Sequence, residues 1–113
     1  KTTLALPYHM APVPVCVFPL TNKLHEPAYE LYKELQDEFI VMYDKSGSVG
    51  KRYLRADSIG VPFCVTYDFD TLEKDQKVTV RDRDTGEQKR VATDEVAGVL
   101  KKLIAGKIDL AEL

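Results

Sequence analysis

Residues 77–91 read Lys-Val-Thr-Val-Arg-Asp-Arg-Asp-Thr-Gly-Glu-Gln-Lys-Arg-Val and hold the side chains best suited to recognition chemistry. Val78 and Val80 alternate with Thr79, Arg81, Arg83 and Thr85. In a strand, alternate residues point to opposite faces. The valines would meet a core while arginines and threonines line the other face. Asp84-Thr85-Gly86-Glu87 reads as a turn and Gln88–Val91 as the returning strand. Arginines interleaved with Asp82, Asp84 and Glu87 offer donors beside acceptors. Reading the edge of an unpaired RNA base needs that mixture; holding phosphate alone does not need the acids.

A second group lies at Asp44-Lys45-Ser46-Gly47-Ser48-Val49-Gly50-Lys51-Arg52. It places glycines, a serine cap and two bases at a helix start. Free N–H groups and the helix dipole favour an anion there. Lys51, Arg52 and Arg55 could hold RNA phosphate; the same string also suits a tight turn into a helix with a solvated basic face. The Gly-x-x-x-x-Gly-Lys-Ser/Thr spacing of a P-loop is absent. Arg52 and Arg55, at i and i+3, share one helix face. Phe69, with Tyr67, Asp68 and Asp70, closes an apolar strand. Ligands of open α/β sheets gather at such strand ends. Phe69 could stack on an unpaired base or pack under the hairpin.

Other chemistry finds little support. His9 and His25 are isolated and read as structural or surface residues. No nucleophile–base or paired-carboxylate set can be assembled, so the residues alone point to a binding module with no catalytic residues and no metal. Cys16 and Cys64, 48 positions apart, match no zinc spacing and read as two buried reduced thiols.

The elements that must position these groups follow from pattern. Val13–Leu20 is a nearly continuous apolar run, suited to a strand covered on both faces. Ala28, Leu31, Tyr32 and Leu35 fall at helical spacing within Glu26–Glu38, with Pro27 in the first turn. Phe39–Tyr43 is a short strand. Ser48 caps a helix over Val49–Ile59 that presents Val49, Tyr53, Ala56 and Ile59 inward and stops at Gly60. Val61–Phe69 is a strand and Asp70–Gln76 a polar connection before the hairpin. Thr93 caps a last helix with Val96, Leu100, Leu103 and Ile104 inward, ended by Gly106. The order β-α-β-α-β-β-β-α predicts an α/β fold: a three-layer domain whose five-stranded mixed sheet is flanked by three helices.

A length of 113 residues predicts one domain over 1–113, with a leading segment at 1–12 and a tail at 106–113. The opening at Lys1, without an initiator Met, predicts a piece of something longer. Hydrophobic content of 44% and charged content of 30% fit a soluble globular class. The net charge of −2 argues against a protein coated in nucleic acid. Charge is nonetheless uneven. Glu26–Glu38 carries five acids and one lysine, whereas Lys77–Arg90 carries five bases and three acids. A polyanion should therefore approach the second half. No apolar run reaches the ~18–20 residues of a membrane span.

Several strings together resemble a known family. They are Ala11-Pro12-Val13, Val17-Phe18-Pro19-Leu20, Gly47-Ser48-Val49-Gly50-Lys51-Arg52-Tyr53 and Ile59-Gly60-Val61-Pro62-Phe63-Cys64-Val65-Thr66. To these add Asp68-Phe69-Asp70-Thr71-Leu72-Glu73 and Val78-Thr79-Val80-Arg81-Asp82-Arg83-Asp84-Thr85. From about Leu6 to Leu103 the chain resembles the C-terminal anticodon-binding domain of glycyl-tRNA synthetase, class IIa. The type is the archaeal and eukaryotic one, also found in some bacteria. The Gly-Lys-Arg helix and Gly-x-Pro-Phe strand resemble all class IIa anticodon domains; the last two strings resemble the glycine enzyme in particular.

The resemblance implies an anticodon-binding fold in a cytoplasmic, homodimeric parent. It implies that ATP, Mg and glycine belong to a separate upstream catalytic domain, so this chain alone should not aminoacylate. Its partners would be the anticodon stem-loop of glycine tRNA and that catalytic domain. Glycine anticodons end in two cytosines, whose pairing edge carries an amino donor beside two acceptors. Arg81, Arg83, Asp84 and Glu87 would read them, with Phe69 stacking and Lys51, Arg52 and Arg55 on phosphate. A recruited relative of the polymerase-accessory type, or a protein-interaction module, remains the alternative.

Overall fold

The computed structural model describes residues 13–113, apart from the side chain of Val49. The leading segment, with His9, lies outside the described residues, and so does the inward placement expected of Val49. The elements are β1 (Val15–Pro19), α1 (His25–Gln36), β2 (Val41–Tyr43), α2 (Val49–Ser58), β3 (Phe63–Tyr67), β4 (Lys77–Asp82), β5 (Gln88–Ala92) and α3 (Val96–Ile104). Their order is the one expected. The strands form one mixed sheet, β2-β1-β3-β4-β5. β1 runs parallel to β2 and β3, and the hairpin adds antiparallel on β3.

Every residue of β1 and β3 is buried, because both sheet faces are covered there. On one face Val15, Val17, Val65, Val78 and Val80 meet Ala28, Leu31 and Leu35 of α1 and Val96, Leu100 and Leu103 of α3. On the other, Cys16, Phe18 and Cys64 meet Ala56 of α2, with Tyr53 packed alongside. Two helices cover one face and a single helix the other. α2 lies over β1 and β3, and among the described residues no helix covers the same face of the β4–β5 hairpin.

Several boundaries differ from expectation for identifiable reasons. Thr93 does not cap α3. Its N–H donates to the Gln76 carbonyl and carries the β4–β5 pairing one residue further, so the helix starts only at Val96, with Glu95 at its N-cap and no side-chain cap bond. Ile59 is 52% exposed and not inward, because α2 ends at Ser58 and the chain turns at Gly60, which has φ +81°. Ile104 is only partly buried. The polar connection contains one wide π-helical turn at Thr71–Asp75, closed by Gln76 at φ +53°. In the tail, Leu110 is buried in the main core. Among the described residues, no helix is long and apolar enough to cross a membrane.

Candidate nucleic-acid interface

Ser48 caps α2 as expected, its Oγ accepting from the Lys51 N–H at 3.3 Å. The two arginines that follow are held by the fold. Arg52 is 3% exposed. Its guanidinium donates to the carbonyls of Lys45 (3.0 Å), Ser46 (3.3 Å), Gly47 (2.8 Å) and Pro19. It staples the end of β1 to the β2–α2 loop and presents nothing to a phosphate. The expectation of Arg52 as a phosphate contact is corrected on that ground. Arg55 grips Asp44 through two bonds, Nε–Oδ2 at 2.7 Å and Nη2–Oδ1 at 3.0 Å. It does not share Arg52's surroundings: one is buried, the other half-exposed. Lys51 remains exposed, with no ion-pair partner among the described residues.

Burial raises the Asp44 carboxyl. The Arg55 hydrogen bonds, the Ser46 N–H and the Arg52 charge together outweigh it, so the carboxyl sits below its ordinary value. A carboxyl lowered in the folded chain stabilises fully above its unfolded value of about 4, and that gain disappears as pH falls through the lower folded value. Urea unfolding at pH 7 and pH 3 tests this. Asp44→Asn should lower the midpoint at pH 7 and show a smaller further drop at pH 3 than the unmodified chain.

The hairpin is built as its alternation suggests only as far as Asp82. Val78 and Val80 are fully buried, while Thr79 and Arg81 face the other way. Arg83 lies beyond the strand and breaks the pattern. Its backbone N–H donates to the Pro62 carbonyl at 2.8 Å, and its 5%-exposed side chain folds toward Gly60 and bonds Asp84 Oδ1. Asp84 is thereby engaged with Arg83. Asp82 accepts from the Asp84 and Thr85 N–H groups and shapes the turn. The Glu87 carbonyl pairs with the Asp82 N–H, so alternation puts Glu87 on the α1/α3 side, away from Arg81. The expected quartet Arg81, Arg83, Asp84 and Glu87 is therefore not one surface.

Nor does the sheet bring Phe69 to the hairpin turn. Asp82 pairs with Phe63 at the start of β3, whereas Phe69 follows its end. The four strand steps from Phe63 to Tyr67 alone separate the two levels by about 13 Å. Phe69 is 40% exposed beside the exposed Leu72, at the same edge as the α2 N-terminus and Lys51. Arg90, which sequence reasoning passed over, ties that edge together. It bonds Asp68 Oδ2 (2.8 Å), Asp75 Oδ1 (2.9 Å) and the Lys77 carbonyl (2.7 Å).

Arg81 is different from the other four arginines. None of its guanidinium N–H groups is in a hydrogen bond with a described residue. Its guanidinium lies over the Tyr53 ring, 5.0 Å from the centroid, and Nη1 stands 3.8 Å from Asp57 Oδ1. Tyr53 is fixed from behind by an edge-to-face contact with Phe18 (4.9 Å, 88°) and by Thr66 Oγ1 at 2.8 Å from its hydroxyl. Arg81 thus sits on a rigid aromatic platform at the margin of α2. Gln88 stands opposite it, and Thr79 is opposite Arg90 on the same hairpin face. Tyr53 and Asp57 could have been found in the sequence: they are an i, i+4 pair, and Asp57 is the only acid of α2 before Ser58.

Cys16 and Cys64 are in-register neighbours on β1 and β3, both buried and free. Burial pushes the Cys64 thiol up to about 12 and the Cys16 thiol higher. Among the described residues no group of three or more His, Cys, Asp or Glu could hold a metal ion.

A three-layer α/β domain with an arginine-bearing open sheet face is the class that this geometry defines. The family model described as anticodon binding domain matches residues 14–103, and the chain belongs to that family. It is 54% identical over 104 residues to the glycine–tRNA ligase of Caldanaerobacter subterraneus subsp. tengcongensis, covering 90% of this chain and 22% of that protein. It is equally similar to the glycine–tRNA ligase of Alkaliphilus metalliredigens, covering 92% of this chain and 22% of that protein. The chain thus spans 22% of the length of these curated relatives. Both are bacterial, and they do not distinguish the archaeal and eukaryotic type. Among solved structures, the RNA binding domain of threonyl-tRNA synthetase from Cryptosporidium parvum Iowa II matches with a TM-score of 0.78 at 23% identity. That match covers 86% of this chain and 25% of the other, and it bears on the fold alone.

Proposed function

We propose that this chain recognises the anticodon of glycine tRNA as one part of a glycine–tRNA ligase. In that enzyme it positions the tRNA for ATP- and Mg-dependent glycylation at a separate catalytic domain of a cytoplasmic homodimer. The ligase relatives supply the amino acid, and they give the accessory-subunit reading no support. The observation that carries base reading is Arg81, the one arginine of five whose guanidinium makes no hydrogen bond to a described residue, placed on the hairpin beside α2. Lys51, with half-exposed Arg55, serves phosphate at the other sheet edge, where Phe69 is free to stack on an unpaired base. Arg52, Arg83 and Asp84 act as scaffold, and Glu87 serves the outer turn.

Titration of the chain with an RNA stem-loop carrying the glycine anticodon tests this. Arg81→Ala should weaken binding by about 1–3 kcal/mol and relax the preference for cytosine. Lys51→Ala should weaken all sequences alike and reduce the salt slope by about one. Unchanged cytosine preference in Arg81→Ala would remove the base-reading role.

A further inference from the structure

Asp57 and Arg81 are two partly exposed, oppositely charged groups that stop short of each other. Their closest atoms, Asp57 Oδ1 and Arg81 Nη1, are 3.8 Å apart and shielded from solvent. Neither atom has a hydrogen-bond partner among the described residues. A hydrogen bond between them would need about 2.9 Å. Elsewhere in this chain, arginine and carboxylate close fully: Arg55 on Asp44, Arg83 on Asp84, Arg90 on Asp68 and Asp75. The gap is therefore particular to this pair.

The surroundings suit a flat ligand. The Tyr53 ring underlies the guanidinium. At 100° per residue, Gly50, Leu54 and Asp57 share the flank of α2 that borders the hairpin. A Cβ built on Gly50 would meet nothing closer than Ser48 Oγ at 4.0 Å, and Leu54 is 68% exposed. The flank is thus low, partly apolar and open.

We infer that Asp57 is a specificity-determining residue: the exposed part of its carboxylate accepts from the amino group of a cytosine while the exposed part of the Arg81 guanidinium donates to the neighbouring ring acceptors, the shielded pair Oδ1 and Nη1 holding the two groups side by side. This rests on the anticodon-reading role proposed above. The alternative acceptors are placed elsewhere. Asp84 is engaged with Arg83, and Glu87 lies on the opposite side of the sheet from Arg81. Uracil reverses the two key positions, presenting a carbonyl where cytosine has its amino group and an N–H where cytosine has an acceptor. A carboxylate beside an arginine therefore favours cytosine and rejects uracil.

The test uses the chain with two RNA stem-loops that differ only in two loop cytosines replaced by uridines. The unmodified chain should prefer cytosine by about tenfold or more. Asp57→Asn keeps one oxygen and gains an amide donor, so it should bring the two RNAs to near parity, losing on cytosine and gaining on uridine. Asp57→Glu should restore part of the preference. Arg81→Ala should weaken both RNAs. Urea midpoints of the variants confirm that each is folded. If Asp57→Asn keeps the unmodified chain's cytosine-to-uridine ratio while Arg81→Ala loses binding, the role of Asp57 is overturned and the anticodon reading stands. If the unmodified chain binds neither RNA, or binds both equally, the anticodon reading itself fails in this chain.

Discussion

Arg52→Ala should lower the stability of the folded chain by about 1.5–3 kcal/mol, the scale for losing hydrogen bonds to a charged group. The guanidinium donates to four backbone carbonyls and shares that of Ser46 with Arg55 Nη2. Three belong to the consecutive loop residues Lys45, Ser46 and Gly47, and the fourth to Pro19 at the end of β1. Without it, the Pro19 carbonyl at the end of β1 loses a buried partner, the exposed loop carbonyls turn to water, and β1 loses this tie to the loop that starts α2. Arg52→Lys should recover only part, because one ammonium cannot span the fork that reaches all four. Urea unfolding gives the measurement. Arg55→Ala is the comparison: it leaves the buried Asp44 carboxylate with the Ser46 N–H, and removing a half-exposed side chain opens the site to water, so its loss should be smaller. Equal losses in the two variants would mean that water replaces Arg52 without difficulty.

That expectation also shows where the sequence misleads. Lys51, Arg52 and Arg55 look alike as letters, and all three follow a serine cap. Spacing places Arg52 on the same side of α2 as Ala56, i to i+4, which is the side against the sheet. An arginine there must find acceptors, and the loop carbonyls provide them. Which acceptors exist depends on how β1 and the loop meet, and no local pattern encodes that. The hairpin fails as a surface for a similar reason. Alternation correctly places Val78, Val80 and Arg81, because each is inside the ladder. Arg83 and Glu87 lie at or beyond its end, where turn geometry and the neighbouring Pro62 decide the direction. The apolar runs of β1 and β3 were legible because burial on both faces demands continuous hydrophobicity. The separation of Phe69 from the turn was legible in principle: an antiparallel hairpin sends its tip back to the start of the strand it follows.

Phe18→Ala should cost about 3–5 kcal/mol, the usual loss for a buried phenylalanine. Phe18 is completely buried in β1 beneath α2. Its second effect bears on recognition. Phe18 meets the Tyr53 ring edge-to-face, and Arg81 lies over that same ring. The three side chains form a stack from the core to the open face, so a cavity at its base frees Tyr53 and with it the guanidinium. Phe18→Leu separates the two effects. Keeping most of the volume, it should lose less than about 1.5 kcal/mol of stability. It nevertheless removes the aromatic contact, worth about 0.5–1.5 kcal/mol, that fixes the tilt of Tyr53. A folded Phe18→Leu chain should therefore bind the cytosine stem-loop several-fold more weakly, while a Leu100→Ala chain, altered in the opposite face of the core, should bind it normally once folded. Equal RNA affinity in Phe18→Leu and the unmodified chain would mean that Arg81 is oriented by Asp57 and its own strand, with Tyr53 as a passive floor.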